Sequence, residues 1–198
     1  MPDASDTWPT LETPRLWLRR FRDADLPPFM AYRNDPDVAR YQGWDSISLP
    51  EAQAFIRRQR SIPPGIPGVG MQIAIESKET GALVGDCYFC IRADDPTQAE
   101  LGYTLAADAQ GRGLATEAVA AWLTYAFGAY HPHRVTALLD VENHRSAALL
   151  ERLGFRREGH FLQSGWFKGR WCDEYLYAIL RDEWLARLNA PPKEQAGE

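Results

Sequence analysis

A predicted strand, a glycine-containing turn and an apolar helix follow one another between residues 99 and 127, and this unit constrains the fold most. Residues 99–105 carry the alternation of a strand. Residues 114–127 are rich in apolar side chains and are followed by Gly128, a residue type that commonly ends helices. Gln110-Gly111-Arg112-Gly113 lies between them. A strand that turns directly into a helix favours a chain that mixes both kinds of element.

Further strands and helices are predicted on both sides of this unit. Ser48 and Glu51 form the pattern of a capping box with Pro50 in the first turn, which predicts a helix over residues 48–60. Elsewhere, alternation and cap residues predict the order β-α-α-β-β-β-α-β-α-β-β and a last helix at residues 182–188. The predicted fold class is therefore α/β (α+β).

The predicted elements fill one domain at residues 14–189. Residues 1–13 lack a periodic pattern and are predicted to be a flexible lead-in, and residues 190–198 are predicted to be a polar tail. Residues 61–70 hold three prolines and three glycines, which predicts a mobile loop, either a lid over a substrate or a simple connector.

The charge and hydropathy of the chain exclude several classes of function. A net charge of −5 over 198 residues argues against a nucleic-acid partner, because phosphates are met by surplus lysine and arginine. The longest apolar stretch, residues 114–130, is interrupted by Glu117 and Gly128 and is too short to span a bilayer. The start of the sequence lacks the pattern of a signal peptide, so we expect a cytoplasmic protein without a membrane partner.

The three cysteines do not predict a disulfide framework or a metal site. Cys87 and Cys90 match C-x-x-C, but they lie in a predicted strand, where an odd spacing sends the two thiols to opposite faces. Cys172 stands apart from both, and His131 and His133 flank a proline without a second cluster that would complete a zinc site. We therefore expect no bound metal.

The turn between strand and helix has the features of an anion site. The first N–H groups of a helix lack partners within the helix, and the helix dipole adds positive charge there. Gly111 and Gly113 let the backbone approach a ligand without an intervening Cβ, and Arg112 adds a charge. The alternative is a tight turn without a ligand. A dinucleotide fingerprint is disfavoured because Ala115-Thr116 breaks G-x-G-x-x-G.

The same residues, Q-x-x-G-x-A from Gln110 to Ala115, resemble the pyrophosphate loop of the GNAT superfamily of N-acetyltransferases. Residues 99–105 resemble its central strand, and Asn143-His144-Arg145-Ser146 resembles its next motif. The ending from Lys168-Gly169-Arg170 to residue 184 is similar to the RimJ/RimL-like branch. The resemblance covers residues 14–188.

The resemblance implies a mixed, mostly antiparallel twisted sheet, flanked by helices, with a splayed central strand pair that admits acetyl-CoA. Asn143 and Ser146 would then lie at the pantetheine arm of the cofactor. Helix capping is the alternative role of Asn143. The other implied cofactor contacts are the backbone of Tyr103, Thr104 and Leu105 for the pantetheine arm, and Gln110, Gly111, Arg112, Gly113, Ala115 and Thr116 for the pyrophosphate.

Acetyl transfer needs an unprotonated amine, and a lysine-like amine has a pKa near 10.4, so a base is required. Glu100 on the central strand is the candidate base, and an ordinary surface glutamate is the alternative. Many relatives carry a tyrosine as the acid seven residues after the asparagine, where this chain has Leu150. The resemblance therefore implies Ser146 as the acid, with a first-turn helix residue as the alternative. Some RimL-like enzymes carry a glutamate base around the position of Gly165, where this sequence has no carboxylate.

The acceptor amine is the part of the reaction that the resemblance leaves open. It implies that Tyr41, Trp44, Trp166 and Trp171 line the acceptor pocket, although aromatic residues also serve as core. A protein N-terminus and a small amine such as an aminoglycoside or a polyamine are the two candidate acceptors. A non-catalytic CoA-binding module is a third alternative, and the expected assembly is a monomer or a homodimer.

Overall fold

The computed structural model describes residue 8 and residues 10–190, which contain eight strands and six helices. The strands are β1 (Leu11–Glu12), β2 (Leu16–Arg19), β3 (Met71–Ser77), β4 (Leu83–Ile91), β5 (Gln98–Leu105), β6 (Arg134–Asp140), β7 (Arg156–Phe167) and β8 (Arg170–Leu180). The helices are α1 (Leu26–Arg33), α2 (Pro36–Ala39), α3 (Leu49–Ser61), α4 (Leu114–Ala129), α5 (His144–Leu153) and α6 (Arg181–Asn189).

All eight strands form one sheet in the order β1-β2-β3-β4-β5-β6-β8-β7. Every neighbouring pair is antiparallel except β5 and β6, which are parallel. The parallel pair is joined only at its start, where Glu100 faces Thr136, although β5 continues to Leu105 and β6 to Asp140. The two strands therefore separate after Glu100, and we call the space between them the β5–β6 gap. The predicted mixed, mostly antiparallel sheet with a splayed central pair is confirmed.

Helices cover the two faces of the sheet with separate cores. On one face, the α4 face, Trp122 and Phe127 of α4 pack with Leu101 of β5, and α5 and α6 join the same core. On the other face, the α1 face, Phe29 of α1 and Ile56 of α3 form a second core with strand residues. Because side chains alternate along a strand, neighbouring residues of β5 contribute to opposite faces.

A buried polar group fixes α1 on its face of the sheet. Asp86 of β4 is 2% exposed. Its carboxylate accepts a hydrogen bond from the Tyr32 hydroxyl and forms an ion pair with Arg33 at 3.0 Å. The Arg33 guanidinium stacks on the Trp44 ring, 3.7 Å from its centroid. A buried carboxylate is tolerated only with such partners, so losing Arg33 would leave an uncompensated charge at the base of α1.

Several predicted elements are confirmed and two were not foreseen. Glu51 accepts from the Ser48 backbone and hydroxyl at 2.8 and 2.5 Å, so the capping box opens α3 as predicted. Strand β1 lies within the predicted flexible lead-in, and α2 begins where the Asp35 side chain accepts from the Asp37 backbone. Residues 1–7 and 9 of the predicted lead-in and residues 191–198 of the predicted tail lie outside the described residues.

The loop at residues 61–70 is held by hydrogen bonds and by aromatic contacts. Gly68 donates to the Ile91 carbonyl at 2.7 Å, and the Ile62 carbonyl accepts from the Trp8 indole at 2.7 Å. Gly65 has φ +76°, and a Cβ at that position would lie 2.5 Å from the Tyr130 ring. These contacts favour the connector interpretation of the loop over the lid. Among the helices of the described residues, none is long and apolar enough to span a bilayer.

Candidate functional site

The turn that precedes α4 has the geometry of an anion site. Gly111 and Gly113 have φ of +73° and +77°, a left-handed conformation that glycine adopts without strain. A Cβ on Gly111 would meet no atom within 4 Å, so the turn faces open space. Glu117 donates to the Gly113 carbonyl at 3.1 Å and begins the helical hydrogen-bond pattern. The N–H groups of residues 114–116 precede that pattern and remain free of helical partners, as a pyrophosphate requires.

Arg15 and Glu117 support this turn from the side. The Arg15 guanidinium donates to the Arg112 carbonyl at 2.8 Å and to the Glu117 carboxylate at 2.6 Å. Thr13 also donates to Glu117 at 2.6 Å. Burial alone would raise the pKa of Glu117, but the hydrogen bonds from Thr13 and Arg15 outweigh it and lower the pKa below its usual value. Sequence analysis missed Arg15 because it lies 97 residues from Arg112 along the chain.

Arg112 itself has an exposed partner. Its guanidinium pairs with Glu79 at 2.9 Å, and both side chains are more than half exposed. Such a pair contributes little free energy, so a phosphate can replace Glu79 at small cost. The predicted phosphate contact of Arg112 is compatible with this position.

The β5–β6 gap exposes backbone groups of β5. The Ala106 N–H donates to the Val84 carbonyl at 2.9 Å, so the even-numbered residues of β5 direct their backbone groups to β4. Tyr103 and Leu105 therefore direct theirs into the gap, whereas the backbone of Thr104 faces β4. Two of the three residues predicted to contact the pantetheine arm thus have backbone groups directed into the gap.

Gln110 closes one end of the gap. Its side-chain amide donates to the Leu105 carbonyl at 3.1 Å, and its side-chain oxygen accepts from Arg145 of α5 at 3.2 Å. The side chain thus joins the end of β5 to α5. Glutamine at residue 110 therefore has a structural role, which is to hold the end of β5 next to α5. Its contact with the cofactor stays a prediction.

The start of α5 brings two polar residues, Asn143 and Ser146, next to Tyr103 of β5. Asn143 caps the helix, with its side-chain oxygen accepting from the Ser146 N–H at 3.2 Å. The Ser146 hydroxyl lies 2.6 Å from the Tyr103 hydroxyl, and burial raises the pKa of Tyr103. Leu150, one turn further along α5, is fully buried in the core. Sequence analysis treated Tyr103 as a backbone contact only and missed its phenol.

Glu100 lies on the opposite face of the sheet from Ser146. It shares the α1 face with Gly102 and Thr104, and its side chain is exposed. Tyr88 of β4 pairs with Gly102 of β5. Burial raises the pKa of Tyr88, and the charge of Glu100 adds to this shift. The predicted base and the predicted acid therefore approach the gap from the two faces of the sheet.

A second carboxylate lies next to Gly165. A Cβ on Gly165 would be 3.4 Å from the carboxyl carbon of Glu174, and Ser164 donates to Glu174 at 2.8 Å. The sequence has no carboxylate at position 165 itself, but the fold places the carboxylate of Glu174 beside it. Glu174 belongs to the neighbouring strand β8, beyond a register shift between Phe161 and Gly165, so the sequence pattern did not indicate it.

The four predicted acceptor residues fall into two groups. Trp44 donates to the Arg33 carbonyl at 3.1 Å and stacks on its guanidinium, and the Tyr41 hydroxyl donates to the Glu142 carbonyl at 3.3 Å. Trp166 and Trp171 form an edge-to-face pair with ring centroids 5.4 Å apart, and both are more than half exposed. The first group is thus engaged in packing and hydrogen bonds, and the second is available at the surface.

The tip of the β7–β8 hairpin contacts the segment that carries Tyr41 and Trp44. Lys168 donates to the carbonyls of Ala39 and Trp44 at 2.8 Å each. A cavity of about 510 Å³ lies between the hairpin tip and α2, and it is lined by Pro36, Arg40, Glu142, Phe167, Lys168 and Arg170. Within residue 8 and residues 10–190, no group of three or more histidine, cysteine, aspartate or glutamate side chains could hold a metal ion.

Several known proteins are similar to this chain in sequence and in fold. The N-acetyltransferase p20 of Bacillus licheniformis is 31% identical over 176 residues, which cover 88% of this chain and 98% of p20. A solved acetyltransferase (GNAT family) from Bacillus anthracis superposes with a TM-score of 0.78 at 27% identity, over 88% of this chain and all of that one.

Two partial relatives have named acceptors. The [ribosomal protein uS5]-alanine N-acetyltransferase of Escherichia coli is 38% identical over 42% of this chain and 43% of its own length. The spermidine N(1)-acetyltransferase of Vibrio cholerae is 32% identical over 45% of this chain and 51% of its own length. Residues 15–156 match the family model of the acetyltransferase (GNAT) domain. The chain therefore belongs to the GNAT family and is an acyl-CoA-dependent N-acetyltransferase.

Proposed function

We propose that the enzyme transfers the acetyl group of acetyl-CoA to a primary amine that reaches the β5–β6 gap from the α1 face. The separation of β5 from β6 beside the free N terminus of α4 is the observation that carries this proposal. The gap supplies unpaired backbone groups for an extended arm, and the helix start supplies N–H groups for a pyrophosphate. The open space at Gly111 fits such a ligand.

The chain's own residues have distinct tasks in this reaction. Glu100, exposed on the α1 face, accepts the proton that the ammonium must lose, directly or through water. The neutral amine then attacks the thioester carbon and forms the C–N bond, and the C–S bond breaks with its electron pair left on sulfur. The second proton that the nitrogen loses passes to solvent. Ser146, on the α4 face, stabilises the thiolate by donating a hydrogen bond, and the thiolate finally takes up a proton.

Glu174 is a second candidate for the base. Its carboxylate accepts from Ser164 at 2.8 Å and stands opposite Asp140 of β6, a pairing that places both side chains on one face of the sheet. We assign the base to Glu100 because Glu100 is the last residue of the paired segment of β5 and so lies at the point where the gap opens.

For the acceptor, we propose a protein N-terminus. The cavity beside the β7–β8 hairpin is lined by Arg40, Lys168, Arg170 and Glu142. These cations pair with Glu142, Asp45 and Asp140, which leaves no surplus acid among these residues to attract a polycation. The exposed Trp166–Trp171 pair suits the side chains of a peptide. The partial relative that acetylates an alanine of ribosomal protein uS5 supports this class.

A polyamine is the second candidate acceptor. The carboxylates of Glu100, Asp140 and Glu174 would attract ammonium groups to the α1 face, and the partial relative from Vibrio cholerae is named for spermidine.

The release of free CoA thiol in the presence of acetyl-CoA distinguishes these functions. The panel contains peptides that begin with alanine or serine, the same peptides blocked at the N-terminus, spermidine, and an aminoglycoside. We expect thiol release with free peptides and none with blocked ones, with the acetylated product identified by mass spectrometry. Release with spermidine alone would favour the second candidate. Binding of acetyl-CoA without release for any amine would contradict the enzymatic proposal.

A further inference from the structure

Two hydroxyl groups meet beside the β5–β6 gap. The Tyr103 hydroxyl lies 2.6 Å from the Ser146 hydroxyl and 3.2 Å from the Ser146 carbonyl oxygen. Both residues are half-buried, and Ser146 is fixed in the first turn of α5 by the cap at Asn143. The short distance requires that one of the two hydroxyls donates to the other.

Each hydroxyl carries a single hydrogen, so two arrangements are compatible with the 2.6 Å contact, and only the first also places a hydrogen at the 3.2 Å contact with the carbonyl. In the first, Ser146 donates to the Tyr103 oxygen and Tyr103 donates to the Ser146 carbonyl. The serine hydrogen is then occupied and cannot reach a ligand. In the second, Tyr103 donates to the Ser146 oxygen, which leaves the serine hydrogen free to donate elsewhere. The direction of one hydrogen bond thus decides whether Ser146 can donate into the gap.

We propose that Tyr103 is a positioning residue: as the CoA thiolate forms, the serine hydrogen turns to the sulfur, and the Tyr103 hydrogen turns from the Ser146 carbonyl to the Ser146 hydroxyl oxygen, which gives the second arrangement. This inference rests on the proposed function of the gap. In the reaction, the C–S bond breaks with its electron pair on sulfur, and the Ser146 O–H donates to that thiolate while the Tyr103 O–H donates to Ser146. No proton needs to leave Tyr103, because the thiolate draws its proton from solvent after release. A free thiol has a pKa near 8.5, so stabilising the thiolate lowers that pKa in the bound product.

Three observations support this arrangement. Burial raises the pKa of Tyr103, so its phenol stays protonated and able to donate at neutral pH. The backbone of Tyr103 faces the gap by strand alternation while its side chain reaches α5, so one residue contacts both the arm site and the serine. Leu150, one turn beyond Ser146 on α5, is buried in the core and has no hydroxyl, whereas Tyr103 of β5 brings a phenol to Ser146.

A purely structural role, in which the phenol only anchors α5, is the alternative. The chain offers a matched control for it, because the Tyr177 hydroxyl donates to Glu151 at the other end of the same helix at 2.8 Å. Tyr177→Phe removes a comparable anchor of α5 without touching Ser146.

The pKa of the bound CoA thiol is the readout, followed through the ultraviolet absorbance of the thiolate in the full-length enzyme. We expect this pKa to lie below that of free CoA in the wild type, and to rise in both Tyr103→Phe and Ser146→Ala. Tyr103→Phe should lower kcat about tenfold, with the Kd of acetyl-CoA unchanged within about twofold. The double variant should be no slower than Ser146→Ala alone, because Tyr103 acts through the serine. Tyr177→Phe should keep the wild-type thiol pKa and kcat.

The inference is overturned if the thiol pKa and kcat of Tyr103→Phe match the wild type, or if the effects of the two single variants add. An unchanged thiol pKa in Ser146→Ala would overturn it as well, and this arm remains available should Tyr103→Phe fail to fold. Failure of the wild type to bind CoA would instead reject the proposed function. If the wild type binds CoA and turns over normally while Tyr103→Phe has the same thiol pKa and kcat, only the role of Tyr103 is rejected.

Discussion

The cofactor half and the acceptor half of the site are built on different principles. The cofactor half consists of β5, the turn before α4 and the start of α5, and its contacts come largely from backbone N–H and C=O groups. The acceptor half consists of residues 39–45, the α1 face of β5 and the β7–β8 hairpin, and its contacts come from side chains that are distant in sequence. Backbone groups depend on strand alternation and helix ends, which a short motif determines. We therefore propose that the acceptor half sets the acceptor specificity, which a short motif does not encode.

The two halves predict different effects for carboxylate variants, and Glu100→Gln is expected to give the largest. General base catalysis contributes about 10²–10⁴-fold, so kcat should fall by that range while the Kd of acetyl-CoA stays within about twofold. Steady-state kinetics from pH 6 to pH 9 measure the loss. Glu174→Gln is the matched variant and should change kcat by less than about tenfold. A reversal of the two results would transfer the base to Glu174.

In the cofactor half, added charge should matter more than added bulk. Ala115 lies in the first turn of α4, where we propose that the free N–H groups bind the pyrophosphate. Ala115→Asp should weaken acetyl-CoA binding about a hundredfold through like-charge repulsion. Ala115→Asn has the same shape without the charge and should lose much less. Calorimetry decides, and equal affinities for the two variants would remove the basis of the phosphate assignment.

Glu117 tests whether a side chain distant from the motif supports the cofactor half. Its pKa is lowered in the folded enzyme, so its stabilisation is present above the unfolded pKa of about 4.3 and is lost as the pH falls through the folded pKa. Glu117→Gln should therefore cost about 1–2 kcal/mol at neutral pH and nearly nothing in strong acid. Urea unfolding at several pH values measures this difference.

Glu79→Gln is the control for Glu117, because Glu79 is exposed and pairs only with the exposed Arg112 among the contacts described. Its free energy of unfolding should change by less than about 0.5 kcal/mol. A loss of stability as large as that of Glu117→Gln would show that the contacts of Glu117 with Arg15 and Thr13 stabilise the fold no more than an exposed ion pair does.

The smallest effect is expected at the hairpin tip of the acceptor half. Lys168→Gln removes the bonds to the carbonyls of Ala39 and Trp44 and the ion pair with Asp45, which should loosen one wall of the acceptor cleft. The acceptor KM should rise about three- to tenfold, with the Kd of acetyl-CoA unaltered. Lys78→Gln, in an ion pair with Glu12 elsewhere on the sheet, is the matched control. A weaker Kd of acetyl-CoA in Lys168→Gln would show that the halves are coupled.

The fold was largely predictable because its signals are local. The capping box at Ser48, the alternation of β5 and the glycines before α4 each depend on neighbouring residues. The short β1 and the four-residue α2 were missed because neither is long enough to show a period. Their positions depend on pairing with β2 and on the cap at Asp35, respectively.

Only the proposed cofactor half of the site has a signal in the sequence. Gly111 and Gly113 indicate a tight turn before α4, because glycine adopts the left-handed backbone conformation that few other residues adopt. Arg15, the phenol of Tyr103 and Glu174 were missed because each acts through a side-chain contact with another element of the fold, and sequence periodicity does not encode such contacts. Trp44 was predicted to line the acceptor pocket, with a core role as the alternative, and it stacks on Arg33, a contact between residues eleven apart.

Amide hydrogen exchange, measured by NMR with and without CoA, tests the central claim most directly. If an extended arm occupies the β5–β6 gap, the amides of Tyr103 and Leu105 and those of residues 114–116 should exchange more slowly with CoA. The amide of Thr104 should not change, because its backbone already faces β4. Slowing at alternate residues of β5 together with the start of α4 is the result that the account predicts. Binding of CoA seen by calorimetry without protection at Tyr103 and Leu105 would contradict it.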